Sequence, residues 1–151
     1  MLSLDANLLL YAFNTACPEH KRASGYLKEL TSDDKIVISE FILCELYVLL
    51  RNPAILRDPL SPSEATAVVQ SYRRHPRWRI VAYPPNSQPL HDQLWSMTGG
   101  RTFARRRIFD VRTALTLLAF GVRDYATANV KDFQGLGFRK VWNPLEIVME
   151  T

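Results

Sequence analysis

The chain has only two cysteines, Cys17 and Cys44, in 151 residues, too few for a disulfide framework, so a reducing cytoplasm is the expected setting. Cys44 stands in the apolar run FILCELYVLL, where a buried thiol is expected. No apolar stretch approaches the roughly 18 residues that span a bilayer, which excludes a membrane-crossing segment. The opening MLSLDANLLLYAF lacks a basic leading segment and carries Asp5 inside its apolar part. It is therefore not read as a signal peptide, and the mature chain is expected to start at Met1. Glycine is scarce, and the six present form neither GxGxxG nor GxxxxGK[ST], so DANLLL has no glycine amides to cradle a nucleotide phosphate. His20, His75 and His91 show no metal-ligand spacing, and no GxSxG elbow or Cys-His signature accompanies them, which disfavours nucleophilic hydrolase chemistry.

What is there is the composition of a globular protein, 47% hydrophobic and 23% charged, in a length that suits one domain over residues 1–151 with one core. The net charge of +4 is unevenly spread. Between Pro59 and Arg112 stand nine arginines against three acids, whereas the remainder is slightly acidic, an asymmetry that points to a polyanionic partner. Short apolar runs alternate with helix-like segments and no repeat is visible. Strands are predicted at Leu2–Leu4, Lys35–Ile38, Arg79–Tyr83, Asp124–Ala128 and Lys140–Trp142. Helices are predicted over Asn7–Phe13, Pro18–Leu30, Ser39 to about Arg51, Ser61 to about His75, Gln88–Met97, and from Asp110 to Gly121. Such alternation implies an α/β fold, a parallel sheet with helices on both faces and ligands gathered beyond the carboxyl ends of its strands.

Four acids are hard to explain as structure alone. Glu45 is the only charge from Phe41 to Leu50, in a helix apolar on every side and so expected to be buried, where a carboxylate needs a cation, a hydrogen-bonding shell or a raised pKa. Asp5 and Asp110 each precede a helix and fit an N-cap as well as a functional acid. Asp132 lies past a strand end, as a loop acid or beside a short helical turn. Topology brings all four toward one sheet edge, where carboxylates repel unless a divalent cation lies between them. Oxygen donors select magnesium or manganese, whose chemistry suits phosphodiester hydrolysis.

The segments LDANLLLYAF, SEFILCELYVLLRNP, IFDVRTALTLLAFGV and YATANVKDF followed by GFRKVWNPLE resemble, in order and spacing, the PIN-domain ribonucleases, and among them the VapC-type toxins of toxin-antitoxin pairs. The resemblance covers nearly the whole chain. It implies a three-layer α/β/α sandwich around a mainly parallel sheet of four to five strands. It also implies a Mg2+- or Mn2+-dependent endoribonuclease leaving 5′-phosphate and 3′-hydroxyl ends, with Asp5, Glu45 and Asp110 as the acidic core and Thr127 to Asp132 completing it. This chain has Asn129 where many relatives carry an acid, leaving Asp132 as the last acid; the metal set is then Asp5, Glu45, Asp110, Asp132 and Asn129, with Thr127 a neighbouring polar group. Arg101, Arg105, Arg106 and Arg107 are placed to hold RNA phosphates, with Arg73, Arg74, Arg77 and Arg79 a second basic patch or simply a solvated face. A cognate antitoxin and a homodimer are implied as partners. The alternative is a PIN-like RNA-binding or partner-binding module whose acids no longer cleave effectively.

Overall fold

A computed structural model describes residues 1–146 of the chain. Its elements run β1 (Leu2–Leu4), α1 (Ala6–Phe13), α2 (His20–Glu29), β2 (Val37–Ser39), α3 (Glu40–Leu50), α4 (Pro62–Arg73), β3 (Arg79–Val81), α5 (Gln88–Thr98), α6 (Arg107–Ala119), β4 (Asp124–Ala126), α7 (Val130–Phe133) and β5 (Lys140–Trp142). Every strand pairing is parallel. One sheet has the order β1-β4-β5 and a second pairs β2 with β3. A single parallel bridge between Leu2 and Ile36, with the Leu2 N–H donating to Lys35 O at 3.0 Å, joins them into the sequence β3-β2-β1-β4-β5. The chain thus winds outward from β1 to β3, then returns to the other side of β1. The reversal between β1 and β4 opens a crevice at their carboxyl ends, where ligands of such sheets bind.

Helices cover the sheet as the expected α/β/α sandwich requires. α1 packs on α2 and α3, and α3 on α4, whereas α6 lies against β2 and carries α5 and α7. Leu4, Leu8, Leu9, Ile36, Ile38, Ile42, Leu43, Leu46, Leu50, Leu117 and Tyr125 are fully buried between them, each aliphatic side chain contributing about 1.5–3 kcal/mol. Local chemistry sets several boundaries. Ser39 accepts from the Phe41 N–H at 3.1 Å to start α3, and Ser61 and Glu64 form a reciprocal capping box behind Pro62. Gly121, at φ +86°, ends α6 just past its cap in the left-handed conformation that glycine tolerates.

The structure corrects some of the expected boundaries. α2 begins at His20 because residues 15–19 turn instead, so Pro18 lies ahead of the helix. α6 begins at Arg107, so Asp110 lies in its first turn and caps nothing. The segment after β4 forms the short helix α7, which carries Asp132. α3 is not buried all round. Cys44, Glu45 and Val48 form an exposed face, Val48 with 62% of its surface in solvent, so Cys44 is no buried thiol. No helix among the described residues is long and apolar enough to cross a membrane.

Candidate active site

β1 and β4 are neighbours with Leu4 opposite Ala126, so the residues that follow, Asp5 and Thr127, emerge side by side at the crevice. Asp5 is only 5% exposed and fully engaged. Its main-chain N–H donates to Ala126 O at 2.9 Å, its Oδ1 accepts from the Ala6 N–H at 2.8 Å, and its Oδ2 accepts from the Thr127 hydroxyl at 2.6 Å. The N-cap expectation for Asp5 holds: one oxygen starts α1, and the carboxylate sits at the strand-end crevice. Thr127, wholly buried, also accepts from the Asn129 N–H at 2.9 Å and from Asn7 Nδ2 at 3.5 Å. The Ala128 N–H donates to Asn7 Oδ1 at 3.4 Å. Asn7 thus ties the start of α1 to the turn after β4. Beneath them the Tyr125 hydroxyl is buried and faces Asp5 outside hydrogen-bond geometry, without a partner among the described residues.

Replacing Thr127 with valine keeps the volume and removes the hydroxyl, so Asp5 Oδ2 loses its donor and the Asn129 N–H its acceptor. Stability is expected to fall by about 1–2 kcal/mol, read as a lower urea midpoint at unchanged m; an unchanged midpoint would show that water replaces the hydroxyl at no loss.

Glu45, Asp110, Asp132 and Asn129 line one cleft of about 450 Å³ together with Arg106 and Arg112. Glu45 projects from the exposed face of α3, open to solvent in the cleft yet flanked closely by its walls. Asp110 is half-buried in the first turn of α6, where the helix dipole favours a negative charge. Asp132 is exposed on α7, and Asn129, also exposed, precedes that helix without capping it.

The acids act on one another. Burial, then the charges of Asp5 and Asp110, push the Glu45 carboxyl up to about 7. Burial, then Asp5 and Asp132, push Asp110 up to about 6, while Arg107 eases it. Asp5 is raised as well, chiefly by burial and least by Asp132, against the opposing bonds of Thr127 and Ala6. Four acids drawn from the end of β1 and from α3, α6 and α7 thus share one field. Among the described residues, however, no three of them converge tightly enough to enclose a metal ion. The donor set is all oxygen and anionic, which fits a hard divalent cation better than zinc.

Of the arginines expected at RNA, Arg101, Arg105 and Arg106 are exposed ahead of α6, and Arg107 is half-buried beside Asp110. The second cluster is partly committed to structure. Arg73 pairs with Glu40 at 2.9 Å, and the Arg79 guanidinium lies 5.3 Å from the centre of the Phe120 ring. Two cleft or site-edge residues escaped the sequence reading as site members. Arg112 was visible only as one of many arginines, and Asn7 gave no local signal because its partners lie some 120 residues away.

No family model matches the chain. It is 42% identical over 145 residues to Ribonuclease VapC24 of Mycobacterium tuberculosis, in strains H37Rv and CDC 1551, the match covering 96% of this chain and 97% of the relative. Its fold is similar to that of the sarcin-ricin loop cleaving toxin VapC20 of Mycobacterium tuberculosis (TM-score 0.66, 16% identity, 91% of this chain and 96% of the other). It is similar also to FitAcB from Neisseria gonorrhoeae (TM-score 0.65, 20% identity, 97% and 100%) and to VapBC2 from Rickettsia felis, solved bound to a promoter DNA fragment (TM-score 0.63, 16% identity, 93% and 97%).

Proposed function

Because the chain belongs to the VapC family of ribonucleases, we propose that it is a metal-dependent endoribonuclease, the toxin of a toxin-antitoxin pair, working at the cleft of Asp5, Glu45, Asp110 and Asp132. The observation that carries this is the gathering of Glu45, Asp110 and Asp132 in one cleft, with Asp5 close enough to raise both Glu45 and Asp110, beside the crevice where the sheet reverses. Asp5, Glu45, Asp110 and Asp132, with the Asn129 amide oxygen, would hold Mg2+ or Mn2+. When bound there, the cation acidifies a water and offsets the charge growing on a phosphate. Asp5 is fixed for this by Ala6 and Thr127. Arg101, Arg105, Arg106 and Arg107 would hold the RNA strand. A cognate antitoxin would cover the cleft and neutralise its acids. Trp95 and Val48, 61% and 62% exposed, offer apolar surface to a second copy in a homodimer.

The test is cleavage of a cellular RNA pool by purified protein free of antitoxin, with Mg2+ or Mn2+ against chelator, beside Asp110→Asn. Cleavage is expected only with metal and only in the unsubstituted protein. Equal inertness of both, with RNA still bound, would replace the enzyme by a binding module.

A further inference from the structure

Arg112 stands two residues after Asp110 on α6 and lines the same cleft as Glu45 and Asp132. Its guanidinium carbon lies 4.0 Å from the centre of the Phe41 ring and 5.3 Å from that of Phe109, and its Nε is buried with no hydrogen-bond partner among the described residues. A cation beside several carboxylates would ordinarily pair with one. Arg112 does not: the side-chain ion pairs among the described residues are Arg73–Glu40 and Arg139–Asp124, and it is Arg107 that eases Asp110.

Stacking explains how the charge is kept apart. An aromatic face attracts a guanidinium, the more so where water is partly excluded, and Phe41 and Phe109 between them hold this one out of reach of the acids. Its Nε is closed off from solvent, so what Arg112 has for a ligand in the cleft is its terminal Nη groups. With the rings against its faces, the guanidinium has its in-plane N–H edge left to offer. That edge matches two oxygens on one tetrahedral or planar anion, a geometry a lysine ammonium does not reproduce.

We propose that Arg112 is a positioning residue that binds, through this edge, the non-bridging oxygens of a phosphate flanking the scissile bond of the RNA. The assignment rests on the ribonuclease reading for its substrate. Phe41 and Phe109 keep the guanidinium available by denying it to Glu45, Asp110 and Asp132. The strand is thereby fixed at a second point beside the acids, which orients the phosphate to be cut.

The test is fluorescence anisotropy of a labelled RNA hairpin with single-stranded flanks, titrated in chelator with wild type, Arg112→Gln and Arg112→Lys over a range of salt. Arg112→Gln is expected to weaken binding about tenfold and to lower the salt slope by about 0.7, one phosphate contact to a single strand. Arg112→Lys, which keeps the charge and guards against misfolding of the glutamine variant, is expected to retain the slope and lose part of the affinity. In cleavage assays KM should rise more than kcat falls. Unchanged affinity and slope in both variants, or no binding by wild type, would overturn the proposal. Binding that depends on Arg112 in a protein that never cuts RNA would overturn the ribonuclease reading and leave Arg112 standing.

Discussion

Glu45→Gln is expected to lose RNA cleavage by at least about a hundredfold and yet to melt at a higher temperature than wild type in metal-free buffer at pH 8. Burial and the neighbouring Asp5 and Asp110 raise this carboxyl from 4.5 to about 7 in the folded protein. A group whose folded pKa lies above its unfolded value favours the native state fully below the unfolded pKa, and that contribution is lost as pH rises through the folded one. At pH 8 wild type therefore carries the whole repulsion, which glutamine removes without changing shape. Because the side chain opens to solvent, screening reduces the effect to the order of 1 kcal/mol, about 2–4 °C for a chain of this size. The gain should vanish near pH 4 and shrink when Mg2+ is added. Scanning calorimetry at the two pH values decides it: a lower melting temperature for the variant at both would mean that Glu45 is a structural anchor.

Asp5→Asn and Asp5→Ala are both expected to abolish cleavage, the second at the greater cost to the fold. Asparagine keeps an oxygen for the Ala6 N–H, so α1 retains its start. Its amide nitrogen faces a Thr127 oxygen that already accepts from Asn129 and Asn7, and the Thr127 proton loses its acceptor, a cost of about 1–3 kcal/mol. Alanine removes the cap, about 1 kcal/mol, and orphans the Thr127 hydroxyl, roughly 1–3 kcal/mol more. Neutralising Asp5 also relieves Glu45 and Asp110, whose titration in the metal-free protein should move down, measurable by NMR of the carboxyl carbons. Cleavage surviving in Asp5→Asn would remove Asp5 from the reaction and leave it a helix cap.

Where chemistry is local, the sequence is a good guide. Ser39 as a cap, Ser61-Pro62-Ser63-Glu64 as a helix start and Lys140–Trp142 as a strand need only their immediate neighbours to be recognised, and each stands as expected. Glu45 stands out as the lone charge of an apolar helix, yet its surroundings are not the closed core that such a helix implies. An apolar helix face says that water is unwelcome there, not that this chain covers it, and Cys44, Glu45 and Val48 lie open. Asp110 misled in a different way: the apolar period starts at Val111, while the turn before it is held by main-chain bonds that arginine and aspartate satisfy as well as leucine does. Asn7 and Arg112 carry no signal of their own in the sequence. One acquires meaning from Thr127 and Ala128 at the far end of the chain, the other from two rings, of which Phe41 sits on a different helix. Thr127, nominated through family resemblance, has the three partners and complete burial that a strand-end β-former would not need.

The placement of β4 between β1 and β5 has a bearing on when the acidic crevice is assembled during synthesis. Asp5 is synthesised almost first, but the hydroxyl that steadies it is 122 residues downstream, and the strand flanking β4 comes later still. A chain growing at about 5–20 residues per second thus spends most of its time on the ribosome with β1 lacking its inner neighbour and the crevice lacking one wall. Pairings this distant in sequence form slowly and late. The crevice is thus completed only once β4 has been made, and a product that stops before β4 lacks both Thr127 and Asp132.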